Sequence, residues 1–452
     1  MLVEEAHLSR RWRIAINGSA ALVLAALVFL LIWRSPMLHF GASSDPRGCL
    51  LTSQSLLDKG TVDLGGYPAR VIQKRRIAGH LDDGCYIGNS LLALPVVAGA
   101  RLAGLDMLRE DQDRLLQRFL AAVTCAAAAM LIFAISRLFL PLAASFLLTL
   151  GFSLGTSFAS TMGTAYWSHN FCIVFELGAL LLLLLMDRAK RLVLLPELLA
   201  FCLFWAYAAR PASLLFTPIV LAYLLFRNPK VGFRVMGWLL VLFGLFALFS
   251  MKHYHSVLPP YFLGARLVES QGGWQALAGI FLSPSRGLFV FSPFLLVGVI
   301  GCLSALRPLG RNLLFRVLAV WVVLHCILLA WRQQVWWGGW CFGPRYMTDV
   351  LPAFLVLGLL WLHHARTAYA LRTRRILEAL AVVLIAASVW INTGQGLYNT
   401  ATSKWNANPD VNSRPQVLLF DWRYPQFLAT PERNRKRALV LAEEPPAEPA
   451  PH

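Results

Sequence analysis

Charged residues are scarce in this chain. Asp, Glu, Lys and Arg make up 14% of 452 residues, against about a quarter in soluble globular proteins. That excludes an ordinary soluble domain. Acidic residues are the rarer kind, 23 against 41 basic ones, for a net charge of +18. No nucleic-acid motif and no basic stripe interleaved with aromatics accompanies that charge, so a nucleic-acid partner is excluded. No glycine-rich loop of the GxxxxGK[ST] type is present. No His/Cys/Asp cluster has metal-ligand spacing. The sequence names no cofactor and leaves participation of a divalent cation open. No internal or inverted repeat of the kind many transporters show is visible.

Apolar sequence is what the chain has instead. Hydrophobic residues reach 58% and mean hydropathy is +0.60. Several runs approach the roughly 20 residues that cross a bilayer. Eleven spans are expected, near 14–33, 116–137, 141–162, 169–187, 192–210, 212–227, 234–252, 288–306, 313–331, 346–364 and 374–392. The fold class expected is therefore an all-α polytopic membrane protein of about 11 spans. The first run follows Arg10-Arg11-Trp12-Arg13 and ends at Trp33-Arg34 without an Ala-x-Ala site, which predicts an uncleaved span over a removed signal. Basic residues gather in the loops around Arg188–Arg191, Arg227–Arg234, Arg307–Arg316 and Arg366–Arg375. The positive-inside rule places those loops in the cytoplasm, with the N-terminus inside and the C-terminus outside.

That orientation requires Ile87–Leu105 not to cross. It is short, contains Pro95 and Arg101, and is expected to lie flat at the outer interface. Pro46–Leu57 gives a second such helix, with Asp45 at its N-cap, Pro46 in its first turn and Gly60 beyond its end. Domain 1–392 thus carries a long first outer loop, 34–115. A small extracytoplasmic segment, 393–430, follows it, and then a tail, 431–452, expected to be disordered. Of eight cysteines, Cys49, Cys85 and Cys341 fall outside the spans. Cys49 and Cys85 could pair in an oxidising compartment or stay free.

Candidate chemistry collects on the outer side. Asp45 can cap its helix, and it can also accept a proton from a hydroxyl as a general base. Arg210, Arg286, Arg345 and the run Lys74-Arg75-Arg76 lie at the outer interface. Arg grips phosphate oxygens through a planar fork and Lys as a point charge, so these residues suit a lipid phosphate. The plainer alternative is snorkelling to ordinary headgroups. Trp337 and Trp340, Trp167 and Tyr346 could stack on a sugar or form an interfacial belt. His169 could hydrogen-bond a ligand or serve structure. Asp111-Gln112-Asp113 mimics the acidic pair of soluble nucleotide-sugar transferases, but better suits a charged helix start.

Taken in order, several short motifs resemble the GT-C superfamily of membrane glycosyltransferases, in the branch of bacterial protein mannosyltransferases and lipid A aminoarabinose transferases. They are Asp45 with Leu50–Leu57, then Gly88–Pro95, Ala209-Arg210-Pro211, the stretch SPSRGLFVFSP from Ser283 to Pro293, Gly343-Pro344-Arg345-Tyr346, and Val350-Leu351-Pro352. The resemblance covers roughly residues 10–400. It implies a bacterial inner-membrane enzyme with a sugar donor on a polyprenyl phosphate. Transfer would be inverting, to a glycan, lipid or protein acceptor on the extracytoplasmic face. Asp45 would be the base, and Arg345, Arg210 and a residue of the Lys74–Arg76 run would hold the leaving phosphate. Relatives often carry two adjacent acidic residues where this chain has Asp45-Pro46. Many also have Lys-Tyr-Pro-Pro where it has Asp82–Gly88. A transporter or flippase of a lipid-linked glycan would instead need charges in mid-span, for which Glu176 is the candidate. A non-catalytic assembly partner would keep the fold alone.

Overall fold

The computed structural model describes residues 10–36, 45–65, 67, 75–77, 80–82, 86–188, 195–259 and 272–443. Side chains are described for all of these but 10–14, 45, 75–77, 80–82 and 442–443. The fold is helical apart from one hairpin. That hairpin pairs β1 (Arg75–Ile77) with β2 (His80–Asp82) antiparallel, Arg76 opposite Leu81.

The chain runs through α1 (Arg10–Trp33), α2 (Asp45–Lys59), α3 (Ile87–Leu102), α4 (Glu110–Arg137), α5 (Leu142–Leu154), α6 (Ser157–Ser160), α7 (His169–Arg188), α8 (Leu195–Ala209), α9 (Phe216–Arg227) and α10 (Pro229–Tyr254). It continues through α11 (Gly273–Leu282), α12 (Leu288–Phe291), α13 (Phe294–Ser304), α14 (Leu306–Leu309), α15 (Leu313–Arg332), α16 (Leu351–Ala368) and α17 (Leu371–Val389). It ends with α18 (Thr400–Trp405), α19 (Pro415–Leu418) and α20 (Pro431–Glu443).

Each of the eleven expected runs contains helix among the described residues. Among the described residues, eight helices are long and apolar enough to cross a membrane, while Leu195–Ala209, Pro211–Arg227 and Phe294–Ser304 are shorter. The run expected over 288–306 breaks at Ser292-Pro293, because proline lacks the N–H that would continue α12 into α13. The α5–α6 break leaves the Gly155 carbonyl outside a helix. It accepts instead from Ser292 Oγ at 2.8 Å and Asn392 Nδ2 at 3.0 Å. Asn392 sits in a π-helical stretch, Trp390–Tyr398, that follows α17.

Local chemistry explains several boundaries. Helix α4 begins with Glu110, Asp111 and Asp113 and ends with Arg137, each sign favourable to its end of the helix dipole. The Asp-Gln-Asp triplet is thus a charged helix start, as expected. Asn228 caps α10, accepting from Val231 N, with Pro229 in the first turn. Asn312 caps α15, accepting from Leu314 N at 2.9 Å.

In the first outer loop, α2 and α3 pack on each other through Cys49, Leu50, Leu51, Ala93 and Val97. The loop is stitched shut by Gln54. Its Nε2 donates to Asp106 Oδ1 at 2.8 Å, and its Oε1 accepts from Met107 N at 2.8 Å. Cys49 is disulfide-bonded and the other six described cysteines are free. Cys85, the partner the sequence left open, lies outside the described residues.

The tail expected to be disordered from residue 431 is ordered through 443. Those residues form α20, because Arg437 anchors it: its side chain is fully buried, its guanidinium carbon is 3.8 Å from the Trp405 ring centroid, and Nη1 donates to Trp405 O at 2.8 Å. A charge-rich sequence reads as solvated until the aromatic it stacks on is known.

Candidate active site

Three loops converge at one end of the bundle. The turn Tyr166–Ser168 precedes α7, Arg210 follows α8, and Arg345–Val350 forms a tight 3₁₀ turn leading into α16. The last turn depends on Gly343. Its φ is +65°, and a Cβ there would lie 2.7 Å from the Phe291 ring, so no other residue enters this corner without strain.

Asp349 draws these loops together. Arg210 Nε donates to Asp349 Oδ1 at 2.7 Å, and Arg210 Nη1 donates to Ser168 Oγ at 2.9 Å. Both members of the pair are almost completely buried, 6% and 4% exposed. Their charges offset each other in a medium where neither could stand alone. His169 Nε2 lies 3.7 Å from the same Oδ1. His325 Nε2 lies 3.0 Å from Tyr346 O. Beside this neutral pair the Arg345 guanidinium stacks over the Trp167 ring, 4.1 Å from its centroid, and 5.9 Å from that of Tyr346. Trp167 is held for that contact by Nε1 donating to Thr164 Oγ1 at 2.8 Å.

Arg345 is half-buried, and its Nε is buried without a hydrogen-bond partner. Among the described residues no carboxylate forms an ion pair with it. Among the described residues its positive charge has no counter-charge. An unpartnered buried donor of this kind calls for an acceptor from outside the chain. Trp167, His169, Arg210, Arg345 and Tyr346, scattered over 180 positions of sequence, are thus brought together.

The expected base, Asp45, is the first residue of α2, and its side chain lies outside the described set. Its position is nonetheless tied to the pocket by buried hydrogen bonds. Gln117 Nε2 donates to Pro46 O at 2.6 Å, and Gln117 Oε1 accepts from Tyr166 N at 3.0 Å. Tyr166 OH donates to Asn89 O at 2.8 Å, and Asn89 Nδ2 donates to Ala209 O at 2.7 Å. The neighbours of Asp45, Trp167 and Arg210 are therefore links of one chain. Gly88 makes it possible, since any Cβ there would collide with the Ala208 carbonyl.

Other expected ligands go elsewhere. Arg286 is not available to a phosphate. All five of its N–H groups are engaged, by Trp337 O, Ser285 O, Gln426 Oε1, Gly339 O and Asn406 Oδ1 at 2.7–3.1 Å, and it is 1% exposed. It braces the Trp-rich loop against the C-terminal segment. Trp337 and Trp340 belong to the same seam, donating to Asn412 Oδ1 at 3.0 Å and Asp410 Oδ1 at 2.7 Å. Trp340 still leaves 52% of its surface exposed. Lys74 and the side chain of Arg75 lie outside the described residues.

Glu176, the mid-span charge a transporter reading would use, is fully buried. Its Oε1 accepts from Ser213 Oγ, and Cys172 Sγ is 3.6 Å away. Asp349 is a residue of this cluster that the sequence did not single out. A carboxylate two residues before the apolar run of α16 carries the same signal that singled out Glu176. Among the described residues no group of three or more His, Cys, Asp or Glu is placed to hold a metal ion.

The fold is shared with a solved structure of archaeal oligosaccharyltransferase AglB from Archaeoglobus fulgidus, in complex with an inhibitory peptide and a dolichol-phosphate. The TM-score is 0.55 at 13% identity, over 92% of this chain and 61% of that one. The apo form of the Archaeoglobus fulgidus oligosaccharyltransferase gives 0.55 at 13%, over 93% and 61%. At that identity the likeness is one of fold alone. The chain spans about 61% of the length of these neighbours. No protein-family model and no curated protein sequence matches it.

Proposed function

We propose that the chain is a membrane glycosyltransferase. It moves a sugar from a polyprenyl-phosphate donor to a glycan, lipid or protein acceptor at the extracytoplasmic face of a bacterial inner membrane. The observation that carries this reading is the hydrogen-bond chain Pro46–Gln117–Tyr166–Asn89–Ala209. It links Pro46, the neighbour of Asp45, to Tyr166 and Ala209, the neighbours of Trp167 and Arg210. The archaeal neighbour was solved with an inhibitory peptide and a dolichol-phosphate, and the second of these is a lipid phosphate.

Asp45 takes the proton of the acceptor hydroxyl as its oxygen attacks the anomeric carbon. The bond from that carbon to the phosphate oxygen breaks, with inversion. The charge left on the phosphate meets Arg345, whose Nε has no other partner and whose plane is fixed by Trp167. Arg210 stands behind, held by Asp349. Trp167 and Tyr346 offer ring faces to the sugar, and His169 lines the inner wall.

The test is transfer by the purified protein from a polyprenyl-phosphate-linked sugar. Asp45→Asn is expected to abolish turnover while the protein still purifies as a monodisperse species with wild-type Tm. Wild-type turnover in that variant would sink the base assignment. Arg345→Gln is expected to weaken donor use about 100-fold, the scale of losing one charge-stabilising donor. An unchanged kcat/KM for donor would remove Arg345 from the phosphate site.

A further inference from the structure

A long apolar groove runs along the bundle away from the candidate site. One cavity of about 390 Å³ is walled by α5, α13, α15, α16 and α17. A second, of about 480 Å³, lies between α5, α13, α16 and α17. They share Leu148, Val297, Trp361, Leu362, Ala381 and Ile385, so they form one slot. Its lip is open, since Leu303, Leu306 and Val323 are each more than half exposed. The first cavity has almost no polar lining, and water needs two to four polar partners to settle in such a space. In a bilayer the filling is hydrocarbon.

The slot exists because α17 is barely packed. Only Ile385 and Ser388, near its site-facing end, are buried. The rest of the helix stands off. Two glycines face the gap, and a Cβ at Gly298 or Gly358 would meet nothing within 4 Å.

The end of the slot away from the site carries two half-buried arginines, Arg366 and Arg374, and one exposed carboxylate, Glu378, for a net positive lining. Arg366 Nη1 donates to Phe139 O at 3.4 Å and Arg374 Nη1 to Arg366 O at 3.3 Å, single contacts on groups with five donors each. Among the described residues neither has an ion-pair partner. Arg366 comes 21 positions after Arg345 on nearly continuous helix, roughly 30 Å further on, the thickness of a hydrocarbon core. The headgroup that meets these arginines therefore belongs to the leaflet opposite the Arg345 pocket.

We infer that the slot is a binding site for one anionic diacyl phospholipid, its acyl chains between α13, α16 and α17 and its phosphate on Arg366 and Arg374. The lipid acts as the missing packing surface of α17. This site is separate from the donor pocket, so it stands or falls independently of the proposed reaction.

The experiment is native mass spectrometry of the full chain after exchange with vesicles of equimolar phosphatidylglycerol and phosphatidylethanolamine. Wild type is expected to retain one phosphatidylglycerol, with about fivefold enrichment per arginine. R366Q/R374Q should keep a lipid but lose the enrichment. G298L and G358L, made separately, should lose the retained lipid and show a Tm in lipid-free detergent at or above wild type, because the leucine fills the slot. Enrichment that survives R366Q/R374Q would overturn the proposal. So would retained lipid in both plugged variants, or density in the slot for a polyprenyl phosphate or for a helix of another chain.

Discussion

Replacing Asp349 by asparagine would leave the Arg210 guanidinium buried and without a counter-charge. Breaking a buried ion pair from one side costs about 3–5 kcal/mol, so Asp349→Asn is expected to lower Tm sharply and to reduce yield. The pair also orients Arg210 toward Ser168 and the Tyr346 ring, whose centroid is 5.6 Å from the guanidinium carbon. Replacing both partners by apolar residues of similar volume, Arg210→Met with Asp349→Leu, removes the orphaned charge and should recover most of the lost Tm. Transfer should not recover, since the second cation behind Arg345 is gone. Thermal unfolding in detergent, run beside the transfer assay, separates the two effects. If Asp349→Asn unfolded at the wild-type temperature, the ion pair would not be the clamp the geometry makes it.

Among the elements, α3 meets the end of α8 at its closest approach through Gly88. Gly88→Ala would push its Cβ into the Ala208 carbonyl, drive α3 off the end of α8 and break the Asn89–Ala209 bond. The expected outcome is loss of transfer with a lowered Tm. Gln117→Ala, which removes the Pro46–Gln117–Tyr166 bridge and a long 3.5 Å bond to Asp113 Oδ1, should reduce turnover more than stability. Equal turnover in Gln117→Ala and wild type would show that the bridge does not position Asp45. These elements also mark what the sequence could tell. The start of α2 at Asp45, the acidic start of α4 and all eleven apolar runs were legible, because capping, dipole and hydropathy signals act within a few residues. The roles of Asp349, Arg286 and Arg437 were not. Each is defined by partners more than 30 positions away: Arg210 for the first, Asn406 and Gln426 for the second, Trp405 for the third. An arginine that braces a seam and one proposed to meet a phosphate look alike in sequence. Only the count of satisfied donors tells Arg286 from Arg345.

For the molecule as a whole, two unrelated signals give one orientation. Arg137, Arg188, Arg227 and Arg366 all sit in last turns of helices whose other ends lead to the site. The positive-inside rule sends that basic side to the cytoplasm. The opposite side carries Cys49 in a disulfide, a bond that persists in oxidising compartments. It also carries the Trp-rich loop, sealed to residues 406–426 by Arg286, Trp337 and Trp340. The proposed outward-facing site and the proposed inward-facing basic mouth of the slot share this one orientation. Single cysteines placed in a background lacking the six free thiols test this. Trp340→Cys, at a half-exposed position beside the site, is expected to react with a membrane-impermeant maleimide in intact spheroplasts. Thr367→Cys, exposed near the basic mouth, is expected to react only after the membrane is opened. The reverse pattern would turn the molecule over, put the candidate site in a reducing compartment, and remove both the outer-face reaction and the cytoplasmic-leaflet assignment of the lipid.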